Sequence, residues 1–223
     1  MHFEILVEDQ SGKKALDILV PRIIGDNHTF KVYSYKGIGR IPRNMKNTAN
    51  ADNRILLENL PKLLKGYGRT FHGYSKNQKD SYQAVLILVC DLDEKCLKDF
   101  RQDLFGILNS CNPKPEIYFC IAIEEGEAWF LGDLNAINNA YPKAKATILN
   151  SYENDSICGT WEKLADAVYP GGSSKLSEKG WQGIGAEKSK WAETIAPKMD
   201  IMNNNSPSFR YFRGKLMKLA GVS

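Results

Sequence analysis

The chain has 223 residues, is 43% hydrophobic and 25% charged, and carries a net charge of +4. That is the make-up of one folded domain of ordinary size, and it excludes wholesale disorder, fibrous repeats and a string of domains. The longest apolar run, residues 84–90, is far short of the roughly 20 residues that span a bilayer. The opening residues lack a basic leader, so a cytoplasmic protein with no membrane partner is expected.

Residues 3–7 form a short apolar run with the length of a buried strand, ending at Glu8 and Asp9. Ser11 is placed to cap a following helix whose apolar positions Ala15, Leu16, Leu19 and Ile23 keep the 3.6-residue spacing, with Pro21 expected to kink or shorten it. Residues 30–35 alternate with period two and predict a second strand. A loop over 36–51 precedes a helix begun at Asp52, with Leu56, Leu60, Leu63 and Leu64 on one face; the glycines then predict a loop over 66–79. Residues 84–90 are apolar at every position, as in a parallel strand covered on both faces. Beyond Asp91-Leu92-Asp93 a helix carries Leu97, Phe100, Leu104, Phe105 and Leu108. A fourth strand over 117–123 runs into Glu124-Glu125-Gly126-Glu127 and a helix with Ala128, Leu131, Leu134 and Ile137.

This alternation predicts an α/β fold: an open, mostly parallel four-stranded sheet flanked by helices, Rossmann-like, over residues 1–140. The remainder, 141–223, has no comparable strand. Its helical patterns (Trp161, Leu164, Ala165 and Val168; Trp191 and Ile195; Phe209, Phe212, Leu216 and Leu219), separated by a loop at 170–174, predict a helical C-terminal lobe packed on the sheet. Five cysteines without a C-x-x-C pair exclude a zinc ribbon and predict buried free thiols. Gly180 to Gly185 follow no strand, which argues against a dinucleotide fingerprint.

Charge is unevenly spread. Residues 31–79 hold eleven Lys and Arg against two acids, whereas 80–159 hold six against thirteen. Such a contrast suits a polyanion held by the first segment and divalent cations held by the second, or else two solvated faces. In open parallel sheets the binding site forms beyond the carboxyl ends of the strands. Three of the four strands end in acids: Glu8, then Asp91 and Asp93, then Glu124, Glu125 and Glu127. Carboxylates gathered there repel one another unless a cation neutralises them, and hard oxygen ligands suit Mg²⁺ or Mn²⁺, one ion or two. The competing expectation is helix capping, for which Asp93 and Glu94 are well placed.

Val7-Glu8-Asp9, Asp91-Leu92-Asp93 and Glu127-Ala128-Trp129-Phe130-Leu131-Gly132-Asp133 resemble the acidic motifs of the toprim superfamily, the magnesium-binding module of topoisomerases, DnaG-type primases and OLD-family nucleases. More narrowly, with Ser206-Pro207-Ser208-Phe209 near the end, the chain resembles a family of short bacterial toprim-like proteins over nearly its whole length. The resemblance implies that Glu8 acts as a ligand or on the attacking water, that Asp91 and Asp93 are metal ligands, and that Glu127 is the later acid of OLD-like nucleases. Lys188 or Lys190 would supply the basic group near the scissile phosphate. Two departures stand out: Asp9 where the toprim glutamate is followed by Gly, and Gly12 where OLD-like proteins carry another acid.

The expected function is thus a Mg²⁺- or Mn²⁺-dependent nuclease, with a noncatalytic nucleic-acid-binding or interaction subunit as the alternative. Lys36, Arg40, Arg43, Lys46, Arg69, Lys76 and Lys79 could follow a phosphate backbone, DNA before RNA, with Tyr67, Phe71 and Tyr74 available for stacking. There is no G-x-x-x-x-G-K-[ST], so the ATPase that OLD-type proteins carry would belong to a separate subunit, in defence against phage. A receiver-like phosphoacceptor is disfavoured, since the fourth strand leads to Glu124 where such a site needs a lysine.

Overall fold

A computed structural model describes residues 1–42, 54–77, 83–156 and 159–222, with the side chains of 75–77 excepted. Four strands, β1 (His2–Val7), β2 (Thr29–Ser34), β3 (Ala84–Asp91) and β4 (Ile117–Ala122), form one sheet in the order β2-β1-β3-β4. Every pairing is parallel, with Val7 opposite both Ser34 and Val89, and Asp91 opposite Ala122. β1 and β3 are therefore central and have apolar residues on both faces. Phe3, Ile5, Val7, Val85, Ile87 and Val89 point to one layer of helices; Leu6, Leu86, Leu88 and Cys90 point to the other.

The second layer holds α2 (Leu56–Asn77) and α3 (Leu97–Asn109), with Leu56, Leu57, Leu60, Leu64, Phe100 and Leu104 buried. The first holds α1 (Gln10–Ile24) and most of the C-terminal region: α7 (Thr160–Val168), α9 (Gly180–Ile195) and α10 (Pro207–Ala220). Short helices α4 (Glu127–Leu131), α5 (Leu134–Ala140), α6 (Ala146–Leu149) and α8 (Gly172–Ser177) connect these parts. One core runs through this layer without a break, from Phe3 and Leu16 to Trp191, Phe209 and Phe212. Arg22 ties α1 to the chain after α9, donating to the carbonyls of Ala196 (2.8 Å) and Met199 (2.6 Å).

The two most distinctive sequence motifs meet in this core. Trp129 of α4 stacks on Phe212 with centroids 4.9 Å apart, and its Nε1 donates to Ser208 Oγ at 3.1 Å. Ser206 caps α10 by accepting from Phe209 N (3.2 Å), with Pro207 at the first helical position. Asp155 fastens the same turn, accepting from Ser206 Oγ at 2.9 Å and Ser208 N at 2.7 Å.

Several local expectations are corrected. α1 is capped by Asp9, which accepts from Gly12 N at 2.7 Å and from Ser11 Oγ at 2.7 Å; Ser11 lies inside the helix. α1 also passes Pro21 and continues to Ile24. The region from Gly66 is no loop, since α2 runs on to Asn77; Asp52, where that helix was expected to begin, lies outside the described residues. α3 starts at Leu97 after Cys96, so Asp93 and Glu94 do not cap it. The helix after β4 is two helices, because Asp133 caps a new one by accepting from Ala136 N at 2.9 Å. Gly172 and Ser173, expected in a loop, begin α8. Of the cysteines, Cys90, Cys111 and Cys120 are buried thiols, Cys96 is exposed, and Cys158 lies outside the described residues.

Candidate functional site

The parallel order puts the ends of β1, β3 and β4 side by side, which gathers their acids at one edge of the sheet. Glu8 leaves β1 with its carbonyl accepting from Gly37 N at 3.1 Å, and its Oε2 accepts from Asp91 N at 3.4 Å. Beyond the strands the β3 and β4 connections stay zipped together, with Asp93 N donating to Glu124 O at 2.9 Å. Glu8, Asp91, Glu127 and Lys188 line one cleft, walled by Val7, Ala15, Val89, Trp129 and Phe130.

This apolar wall sets the electrostatics. Burial, then the charges of Asp93 and Asp9, push the Glu8 carboxyl up to about 7 from an ordinary 4.5. Burial and then the Glu8 charge hold Asp91 well above the usual carboxylate range. Two partly desolvated carboxylates on neighbouring strands thus cannot both be anionic at neutral pH without a cation or a shared proton.

The cleft also holds a cation, Lys188, carried in by α9. Its Nζ stands 2.9 Å from Glu127 Oε2 and 3.9 Å from Glu125 Oε1. Burial would lower its pKa, but Glu127, Glu125 and Asp91 together hold it above the ordinary lysine value, so it stays charged. Glu127, 3% exposed, is pushed up by burial and drawn back by Lys188. Glu125 is pinned in turn: its Oε2 accepts from Thr160 Oγ1 (3.0 Å) and Trp161 N (3.1 Å) in the first turn of α7, where the helix dipole favours an anion.

The structure brings Glu8 and Asp91 together and places Lys188 and Glu127 in the same cleft. Asp93 sits at the rim in a left-handed backbone conformation (φ 51°), 45% exposed and paired with Lys95, though its charge reaches Glu8. Of the two candidate lysines, Lys188 faces the cleft, whereas Lys190 pairs with Glu187 at 3.5 Å and is 64% exposed. Among the described residues no group of three or more His, Cys, Asp or Glu side chains is arranged to hold a metal ion. The donors that fit a hard divalent cation are Glu8 and Asp91, whose mutual repulsion it would relieve; Glu127 is committed to the lysine.

Gly12 has a steric reason to be glycine. A Cβ there would lie 2.7 Å from Val7 Cγ2 and 3.1 Å from Asp9 Oδ1. Of the basic residues proposed for nucleic acid, Lys36 and Arg40 are exposed after β2 and Arg69 is exposed on α2. Arg43, Lys46 and Lys79, and the side chain of Lys76, lie outside the described residues. Tyr67 and Phe71 pack at 5.5 Å and Tyr74 is 41% exposed. The role of Glu125 had no signature in the sequence, since its partners belong to α7 and α9.

An open parallel α/β sheet, with carboxylates and a charged lysine gathered at the carboxyl ends of its strands, is the class these features define. The chain belongs to the DUF4276 family, described as a domain of unknown function, whose model matches residues 7–217. Neither the curated proteins nor the solved structures compared with it gave a match.

Proposed function

We propose that the protein is a divalent-cation-dependent phosphodiesterase acting on nucleic acid, a reading that keeps the resemblance to toprim and OLD-like nucleases. The observation that carries it is the meeting of Glu8 and Asp91 in one cleft with Lys188. Glu8 and Asp91, with Asp93 at the rim, would hold Mg²⁺ or Mn²⁺, which when bound polarises the phosphodiester. Glu8, which lines the same cleft, would accept the proton of the attacking water. Lys188 keeps its charge and meets the anionic phosphate, adding electrostatic stabilisation as charge builds in the transition state. Glu127 and Glu125 position that ammonium. The apolar wall limits water and strengthens each of these interactions.

The test is incubation of purified protein with single- and double-stranded DNA and RNA in Mn²⁺, alongside calorimetric titration of the metal. Cleavage that disappears in Asp91→Ala supports the proposal, and protein that neither cleaves nor binds metal overturns it. A noncatalytic subunit is the second reading, favoured by Gly12 and by the commitment of Glu127 to Lys188. Salt-sensitive nucleic-acid binding that is the same in Asp91→Ala and Asp93→Ala, without turnover, selects it. A separate ATPase subunit would appear by co-purification from the native host.

A further inference from the structure

On the α2 side of the sheet, at its β2 edge, lies a second and broader depression. Its floor is made by Tyr33 and Tyr35 of β2 and its near end, with Tyr67 and Leu63 of α2, all partly buried. Its rim is cationic. Lys62, Lys65 and Arg69 are exposed and spaced three and four residues apart, so they form one stripe about 10 Å long on the helix. Arg54 closes one end, its side chain donating to Ser34 O at 2.7 Å. Lys31 stands over the Tyr33 ring at 4.9 Å. Glu4 accepts a hydrogen bond from Tyr67 Oη at 3.3 Å. Among the described residues no carboxylate lies within ion-pair distance of Lys62, Lys65 or Arg69.

We infer that this groove binds single-stranded nucleic acid, the lysine and arginine stripe following the phosphates while unpaired bases lie on the tyrosine floor. Charge decides for a polyanion, and the floor decides for a single strand. A duplex keeps its bases stacked inside and offers only phosphates to such a surface, leaving the aromatic floor without an occupant. At its Arg54 end the groove borders the chain that follows β2, where Lys36 N donates to Arg54 O at 2.8 Å and Gly37 N donates to Glu8 O at 3.1 Å. That the bound strand is also the substrate rests on the phosphodiesterase reading above; the binding does not.

The experiment is fluorescence anisotropy in EDTA, where cleavage cannot interfere, with labelled oligo-dT, oligo-rU and a mixed-sequence duplex, each about 20 units long and titrated over a range of salt. Wild type and Asp91→Ala should bind the single strands alike and more tightly than the duplex, and the better of dT and rU names the sugar. Lys62→Glu/Lys65→Glu/Arg69→Glu, all on an exposed face, should weaken binding at least ~10-fold and flatten the log–log salt slope by about 2, at roughly 0.7 per lost phosphate contact. Tyr35→Leu should weaken binding ~10-fold with the slope unchanged, as loss of stacking predicts. Preference for duplex, no binding of either single strand, or a charge-reversed triple variant that binds like wild type overturns the inference. Binding that behaves as stated without cleavage in Mn²⁺ overturns the phosphodiesterase reading and leaves the groove standing. Cleavage of single strands with an unchanged KM in the triple variant does the reverse.

Discussion

Glu8 is a carboxylate from which water has been largely withdrawn, and its protonation is therefore coupled to folding. The folded chain holds this proton up to about 7 and the unfolded chain only to about 4.5. Metal-free protein thus loses stability as pH rises through that window, by an amount on the order of 3 kcal/mol if the whole shift is realised. Glu8→Gln removes the charge and keeps the shape. It should raise the melting temperature in EDTA at pH 8 and leave it nearly unchanged at pH 4.5, which thermal unfolding at the two pH values would read. Lys188 gives the converse case. Lys188→Met strands Glu127 as a buried, unpaired acid, and the expected loss is about 3 kcal/mol or more. The double variant Glu127→Leu/Lys188→Met should recover most of that stability in urea denaturation while staying inactive on nucleic acid. Stability and chemistry would then be separated at one ion pair.

At the scale of the elements, the strands were legible and the glycines were not. A run such as residues 84–90 can be satisfied only between two layers of helices, so pattern alone places β3 at the centre of the sheet. Gly68, in the span expected to be a loop, lies within α2, at a point where a Cβ would meet Pro113 O at 2.1 Å. Gly132 likewise faces Asn204 Oδ1, 2.2 Å from where its Cβ would be. Both glycines answer to partners distant in sequence, which no local spacing reveals. The acids at the strand ends could be read because strand order turns them toward one edge. Lys188 could be named only by resemblance, because nothing within α9 marks which of its lysines faces the sheet. Gly12 offers a test of the same logic. Ala would gain about 1 kcal/mol of helix propensity but collide with Val7 and cost about 1–3 kcal/mol. Gly12→Ala should therefore be net destabilising, as a lower urea midpoint with an unchanged m-value.

For the whole molecule, the helical C-terminal region completes the core that the sheet begins. Trp129 is covered by Phe209 and Phe212, and α1 is covered by α9. A fragment of residues 1–140 would leave Trp129 and the side of α1 that meets α9 uncovered. It should give no cooperative urea transition and should bind a hydrophobic dye, whereas the full chain should unfold in one step with near-ultraviolet dichroism and fluorescence coinciding. The sequence pattern showed that these helices pack on the sheet, but not that they share one continuous interior with it, since which apolar faces meet is decided by topology.

The same arrangement governs when the cleft comes into being during synthesis. Glu8 and Asp91 emerge from the ribosome before α9, which carries Lys188, and α10 follows it. A nascent chain holds its acids without their ammonium. Any reaction that needs all three is withheld until α9 has been made and has folded against the strands, so nascent chains that stop short of α9 could not carry it out.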